Sequence, residues 1–66
     1  MQHIVKTLAG TWYTISCTQA AIVTENIQGE TAELASLPAS GVETFRVTGN
    51  QITVETDGKF EVLPFY

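Results

Sequence analysis

A chain of 66 residues with net charge −4, in which only Lys6, Arg46 and Lys59 are basic, offers no electrostatic footprint for nucleic acid. Its 44% hydrophobic and 15% charged residues describe one folded domain, residues 1–66, and not a disordered tail. No apolar run approaches the roughly 20 residues of a membrane helix, and the opening "MQHIVKTLAG" lacks the basic start and long apolar stretch of a signal peptide.

Size sets the next constraint. A domain this short buries only about 60% of the surface its unfolded chain exposes. Below roughly 70–80 residues, natural proteins usually add disulfides, a metal or a partner subunit. Cys17 is the single cysteine, so an intrachain disulfide is impossible, and one Cys with one His (His3) makes no tetrahedral zinc site. Oligomerisation, or docking on a larger body, is the device left. The lone thiol fits a reducing compartment at synthesis.

In chain order, His3 to Thr7 reads as an edge strand or an arm. "GTWYTISC" reads as a strand with Trp12 on one face and Tyr13, Ile15 and Cys17 on the other. Ala20 to Asn26, "AAIVTEN", is a second strand, followed by a turn around Gly29. "TAELASL", Thr31 to Leu37, is ambiguous: Ala, Glu and Leu are helix formers, but Ala32 and Leu34 alternate with polar neighbours as in a strand. We favour the strand. Pro38 and Gly41 close that segment.

From Val42 to Leu63 the pattern predicts a three-strand meander. A two-residue loop at Gly49-Asn50 would set Val47 opposite Ile52 and Phe45 opposite Val54. A three-residue loop, Thr56-Asp57-Gly58, would pair Val54 with Phe60, Ile52 with Val62 and Glu55 with Lys59, with Gly58 supplying a left-handed residue. Phe45, Val47, Ile52, Val54, Phe60 and Val62 then share one buried face. Six or seven short strands without a long helix predict an all-β fold, a small antiparallel β-sandwich or partly open barrel. Its sheet edges would invite pairing with another chain. In the terminal "VLPFY", Pro64 cannot continue an interior strand. Phe65 and Tyr66 either tuck back or insert into a neighbouring subunit.

No residue set names a chemistry. His3 lies in a terminal segment, and Cys17 on a strand reads as a small buried hydrophobe. Glu25, Glu30 and Glu33 lack the spacing of a calcium loop and read as solvated charges. Asp57 is a turn former. Arg46 is expected to pair with Glu55 or Glu43. No catalytic residue, cofactor or metal is expected, and an enzyme is not. Large aromatics concentrate at interface hot spots, so Trp12, Tyr13, Phe65 and Tyr66 are the candidate contact residues.

"LAGTWY" resembles the start of lipocalins and fatty-acid-binding proteins, whose tryptophan closes the bottom of the barrel, and "ETDGKF" resembles the later Thr-Asp motif of lipocalins. The resemblance implies a small-ligand carrier, with a cavity lined by Trp12, Ile15, Phe45 and Phe60. An eight-stranded ligand barrel needs roughly twice this length, so only a minimal barrel remains as the alternative. In layout the chain resembles small β-sandwich accessory proteins of tailed bacteriophage virions: decoration, cement, collar or tail-adaptor subunits. The shared features are the "TWYTI" strand, the Thr- and Val-rich strands, the "LPASGVETFRV" crossover and the final "GKFEVLPF". That resemblance implies a structural protein made in a bacterial cytoplasm and located in the virion, with cytoplasmic residence the alternative. Its partners would be further copies of itself or a capsid or tail protein, and neither nucleic acid nor membrane.

Overall fold

The computed structural model describes residues 1–65. Seven strands follow in order: β1 (Gln2–Lys6), β2 (Trp12–Cys17), β3 (Ala21–Ile27), β4 (Glu30–Leu37), β5 (Val42–Arg46), β6 (Gln51–Thr56) and β7 (Phe60–Pro64). They form two antiparallel sheets, β1-β6-β3-β4 and β5-β2-β7, packed as a sandwich and not closed into a barrel. The all-β sandwich is therefore the fold, His3 to Thr7 supplies an edge strand, and Thr31 to Leu37 is a strand.

The alternation of side chains decides what each strand buries. Tyr13, Ile15 and Cys17 point inward from β2, Ala21 and Val23 from β3, Phe45 from β5, and Ile52 and Val54 from β6. Phe60, Val62, Val5 and Leu34 pack on the rim of this core. β4 holds as a strand despite its helix-forming composition because it pairs along the whole of β3. Its register shifts where Val23 faces Ala35 and Thr24 faces Glu33, leaving Leu34 as an extra, bulged residue that packs on the core. The β3–β4 turn puts Gln28 and Gly29 at φ 53° and 84°, the doubly left-handed pair of a type I′ hairpin.

The meander is not formed. Its three strands exist and its predicted inner face is the right one, but β5 and β7 lie in one sheet and β6 in the other. β6 has β1 on one side and β3 on the other, so it has no edge for β5 or β7 to join. Val47 and Ile52 therefore belong to opposite walls of the core instead of neighbouring strands. The connecting loops are fixed by partners far away in sequence. Thr7 donates from its backbone N–H to the Asn50 carbonyl (2.9 Å) and from its hydroxyl to the Gly49 carbonyl (3.2 Å). At the other crossing, Thr56 donates to the Ala20 carbonyl at 3.0 Å, and Lys59 N–H donates to the Thr18 hydroxyl at 2.9 Å. Gly58 is not left-handed, contrary to expectation: positive-φ glycines are Gly10 and Gly29. A Cβ at Gly58 would instead lie 2.5 Å from the Thr18 hydroxyl oxygen, so glycine is needed there for close approach. Glu55 stands in the other sheet from Lys59, and that expected pair is absent.

Candidate interaction surface

The outer face of β5-β2-β7 is a grid of three rows, set by the ladder registers. Val42, Ser16 and Glu61 form one row, and Thr44, Thr14 and Leu63 the next. In the third, Arg46 lies beside Trp12, and Phe65 joins on the other side, its N–H donating to the Trp12 carbonyl at 2.8 Å. Inward neighbours fill the core, so the side chains of these rows are left to the outside. Trp12 is 50% exposed, Leu63 54%, Phe65 58% and Val42 67%. Trp12, Leu63 and Phe65 touch one another's strand positions and together leave roughly 300 Å² of apolar surface in water. The Thr14 and Thr44 hydroxyls hydrogen-bond to each other at 3.1 Å, which consumes polar capacity in the middle of the face.

The outer face of the other sheet is different. Its exposed Ile4 and Ile22 are separated by Thr53, Thr24 and Glu55, so no apolar row forms. Of the two broad sides of the sandwich, β5-β2-β7 carries the larger apolar cluster.

Of the candidate contact residues, Trp12 and Phe65 sit side by side on the apolar face. Tyr13 does not: it is 7% exposed and belongs to the core. Its hydroxyl accepts the Leu8 N–H at 2.9 Å, tying the β1–β2 loop back onto the sandwich, as corner tyrosines do in other β-sandwiches. Alternation within β2 forces this outcome, since neighbours on a strand take opposite faces. Tyr66 lies outside the described residues.

The residues weighed for chemistry are dispersed. Cys17 is buried, its Sγ directed at the Pro38 carbonyl (3.6 Å) and the Gly41 carbonyl (3.8 Å). The His3 ring packs against Phe60, centroids 5.0 Å apart. Beside Cys17 an open groove of about 430 Å³ runs past Ser40, Lys59 and Glu61. Glu30 and Glu33 are exposed, but Glu25 is not a solvated charge: it is 5% exposed. One of its carboxylate oxygens accepts the N–H groups of Thr48 (3.0 Å) and Gly49 (3.4 Å). Arg46 pairs with neither Glu55 nor Glu43. Glu55 is across the sandwich beside the Met1 amine, Glu43 alternates to the other face of β5, and Arg46 Nε donates to the Gly10 carbonyl at 3.4 Å. The cavity implied by a minimal barrel is not assembled either. Ile15 and Phe45 are packed in the core, whereas Trp12 faces outward.

Sequence reasoning missed Glu25 and the full extent of the apolar face. The second was within reach, because Trp12, Thr14 and Ser16 alternate with the buried set. Seeing Leu63 and Phe65 beside them required knowing that β7 pairs with β2. The chain matches no known protein-family model, no curated protein and no solved structure.

Proposed function

We propose that the chain is a non-enzymatic structural protein that works by burying the outer face of β5-β2-β7 against a protein neighbour. The observation that carries this reading is the cluster of Trp12, Leu63 and Phe65, half or more exposed on the adjacent strands β2 and β7. Exposed apolar patches of this size are often functional on protein surfaces, and a few aromatic anchors supply most of an interface's energy. A domain of 66 residues has a small core, and assembly adds to its stability.

The fuller form of the proposal is an oligomeric or shell-bound virion accessory subunit, a capsid decoration, collar or tail component. The small sandwich fold, the absence of assembled chemistry among the described residues and the apolar cluster on β5-β2-β7 all support it. Sedimentation velocity at micromolar concentration tests the reading. The wild-type chain is expected to sediment well above its 7.2 kDa monomer mass, and Trp12→Lys as a folded monomer. A wild-type chain that stays monomeric overturns the oligomeric form of the reading.

A further inference from the structure

Within its three rows the apolar face carries one cation and one anion, at diagonally opposite corners: Arg46 at the end of β5 and Glu61 near the start of β7, with Lys59 just beyond Glu61 at the border. We propose that this face docks on the same face of a second copy, across a two-fold axis along the Val42–Thr14–Phe65 diagonal, so that each Arg46 meets the other copy's Glu61. The inference rests on the reading that this sheet is the contact surface, and names what covers it.

A symmetric pair uses one patch twice, so if one residue meets another, the reverse contact also forms. For two sheets stacked face to face, the axis must lie in the plane of contact. An axis along the strands would put Glu61 against Val42, stranding a carboxylate on an apolar side chain. An axis across the strands would put Trp12 on Ser16 and Phe65 on Glu61. The diagonal through Arg46 and Glu61 would set each charge against its own kind.

The remaining diagonal matches the face throughout. Arg46 meets Glu61 twice, Trp12 meets Leu63 twice, Phe65 meets Phe65, and Thr14 meets Thr14. With strands about 4.8 Å apart and side chains about 6.7 Å apart along a strand, this rotation brings Trp12 over Leu63 to within about 3 Å in the plane and Arg46 to within about 5 Å of Glu61, an offset the long Arg46 side chain spans. The strands of the two copies then cross steeply, near the orthogonal class of sheet packing. Size agrees as well. The molecule is a slab with extents of 29 × 27 × 15 Å, and a stable interface covers about 800 Å² on each partner, close to one whole broad side. Although the chain carries −4 overall, Arg46, Lys59 and Glu61 keep the excess negative charge off this side, so it does not oppose the approach of two copies. Holding Nε on the Gly10 carbonyl fixes the Arg46 arm and leaves its two terminal nitrogens for a bidentate carboxylate.

Reciprocal charge reversal tests the arrangement. Arg46→Glu and Glu61→Arg, both at exposed positions, should keep the wild-type far-UV circular dichroism. By sedimentation velocity each alone should self-associate at least about tenfold more weakly than wild type, since each homodimer would hold two like-charge contacts. Mixed in equal amounts, the two variants should dimerise as wild type does, because the mixed pair restores both bridges. The double variant Arg46→Glu/Glu61→Arg should do the same by itself. If the wild type dimerises and Trp12→Lys breaks the dimer, but reversal and mixing leave it unaffected, the diagonal pairing is overturned while the contact surface stands. A monomeric wild type overturns the pairing and, with it, self-association through this face.

Discussion

The buried carboxylate of Glu25 accepts the backbone N–H of Thr48 at 3.0 Å, reaching from one sheet to the loop that leaves the other. It takes the Gly49 N–H as well, at 3.4 Å. Two donors of the β5–β6 crossing are thus satisfied by one side chain. Glu25→Ala should cost about 1.5–3 kcal/mol, because hydrogen bonds to charged groups are the stronger ones. Against a total stability of about 3–10 kcal/mol for a chain this size, that loss is severe. Glu25→Gln keeps an acceptor and should recover roughly half. Urea denaturation followed by far-UV circular dichroism measures both; an unchanged midpoint for Glu25→Ala would show the contact to be idle.

Two glycines should respond to alanine for different reasons. At Gly29, φ is 84° and there is open space around the missing Cβ, so Gly29→Ala should cost about 1 kcal/mol through backbone strain alone. A D-alanine placed there by chemical synthesis should remove that cost. At Gly58 the backbone is ordinary, but the Cβ would lie 2.5 Å from Thr18 Oγ1 and 2.9 Å from Gln19 Cγ. Gly58→Ala should cost about 1–3 kcal/mol by overpacking, and Thr18→Ala should relieve part of it. Thermal melts of the double variant decide the matter: strictly additive losses would count against the steric explanation.

The tail separates backbone from side-chain effects. Deleting residues 64–66 removes the hydrogen bond from Phe65 N–H to the Trp12 carbonyl, at about 1 kcal/mol of folding stability, together with an apolar anchor. Phe65→Ser keeps the backbone bond and removes the ring. Both variants should fold, and both should weaken self-association by about 30-fold if the ring contributes about 2 kcal/mol per contact. Sedimentation equilibrium beside a urea titration reads the two effects independently. Association equal to wild type in Phe65→Ser would remove this residue from the interface.

The amine of Met1 in the 66-residue chain lies 3.1 Å from Asp57 and 3.6 Å from Glu55. Its hydrogen bond to Asp57 raises the pKa above the ordinary 8.0, slight desolvation opposes the rise, and the charges of Asp57 and Glu55 add to it. A pKa raised on folding contributes stability that is fully present below about 8 and is lost as pH climbs through the folded value. The amine is fully exposed, so the contribution is small. The urea midpoint of the unmodified chain should fall slightly between about pH 7 and about pH 10 relative to an N-acetylated chain. Parallel midpoints for the two would refute the coupling.

The strands and their inner faces were legible in the sequence because a two-residue alternation reports burial directly. Phe45, Val47, Ile52 and Val54 were all assigned to the core on that basis, and all are there. The same alternation is silent about partners. Phe45 and Val54 point to one core whether their strands lie side by side or on facing sheets, and hairpin-like turns at Gly49-Asn50 and Asp57-Gly58 tipped the reading towards neighbours. What excludes that pairing is the occupation of both edges of β6 by β1 and β3, which no local signal announces. Glu25 was illegible for a related reason: the two N–H groups that make its burial tolerable come from Thr48 and Gly49, 23 and 24 residues away. Trp12 and Phe65 lie exposed on the outer face, whereas Tyr13 needed only the parity of β2 to be moved inside.

The order β1-β6-β3-β4 over β5-β2-β7 leaves β3–β4 as the one ladder, among the described residues, that joins strands consecutive in the chain. Every other ladder must first close a long loop and meet that entropic cost before any pairing energy returns. Such a topology folds slowly for its size, on the millisecond-to-second scale of non-local β domains. The Gln28-Gly29 hairpin is the natural place to start, and the C-terminal β7 can add only once β2 is in place. During synthesis, the sandwich therefore cannot close until β7 has emerged.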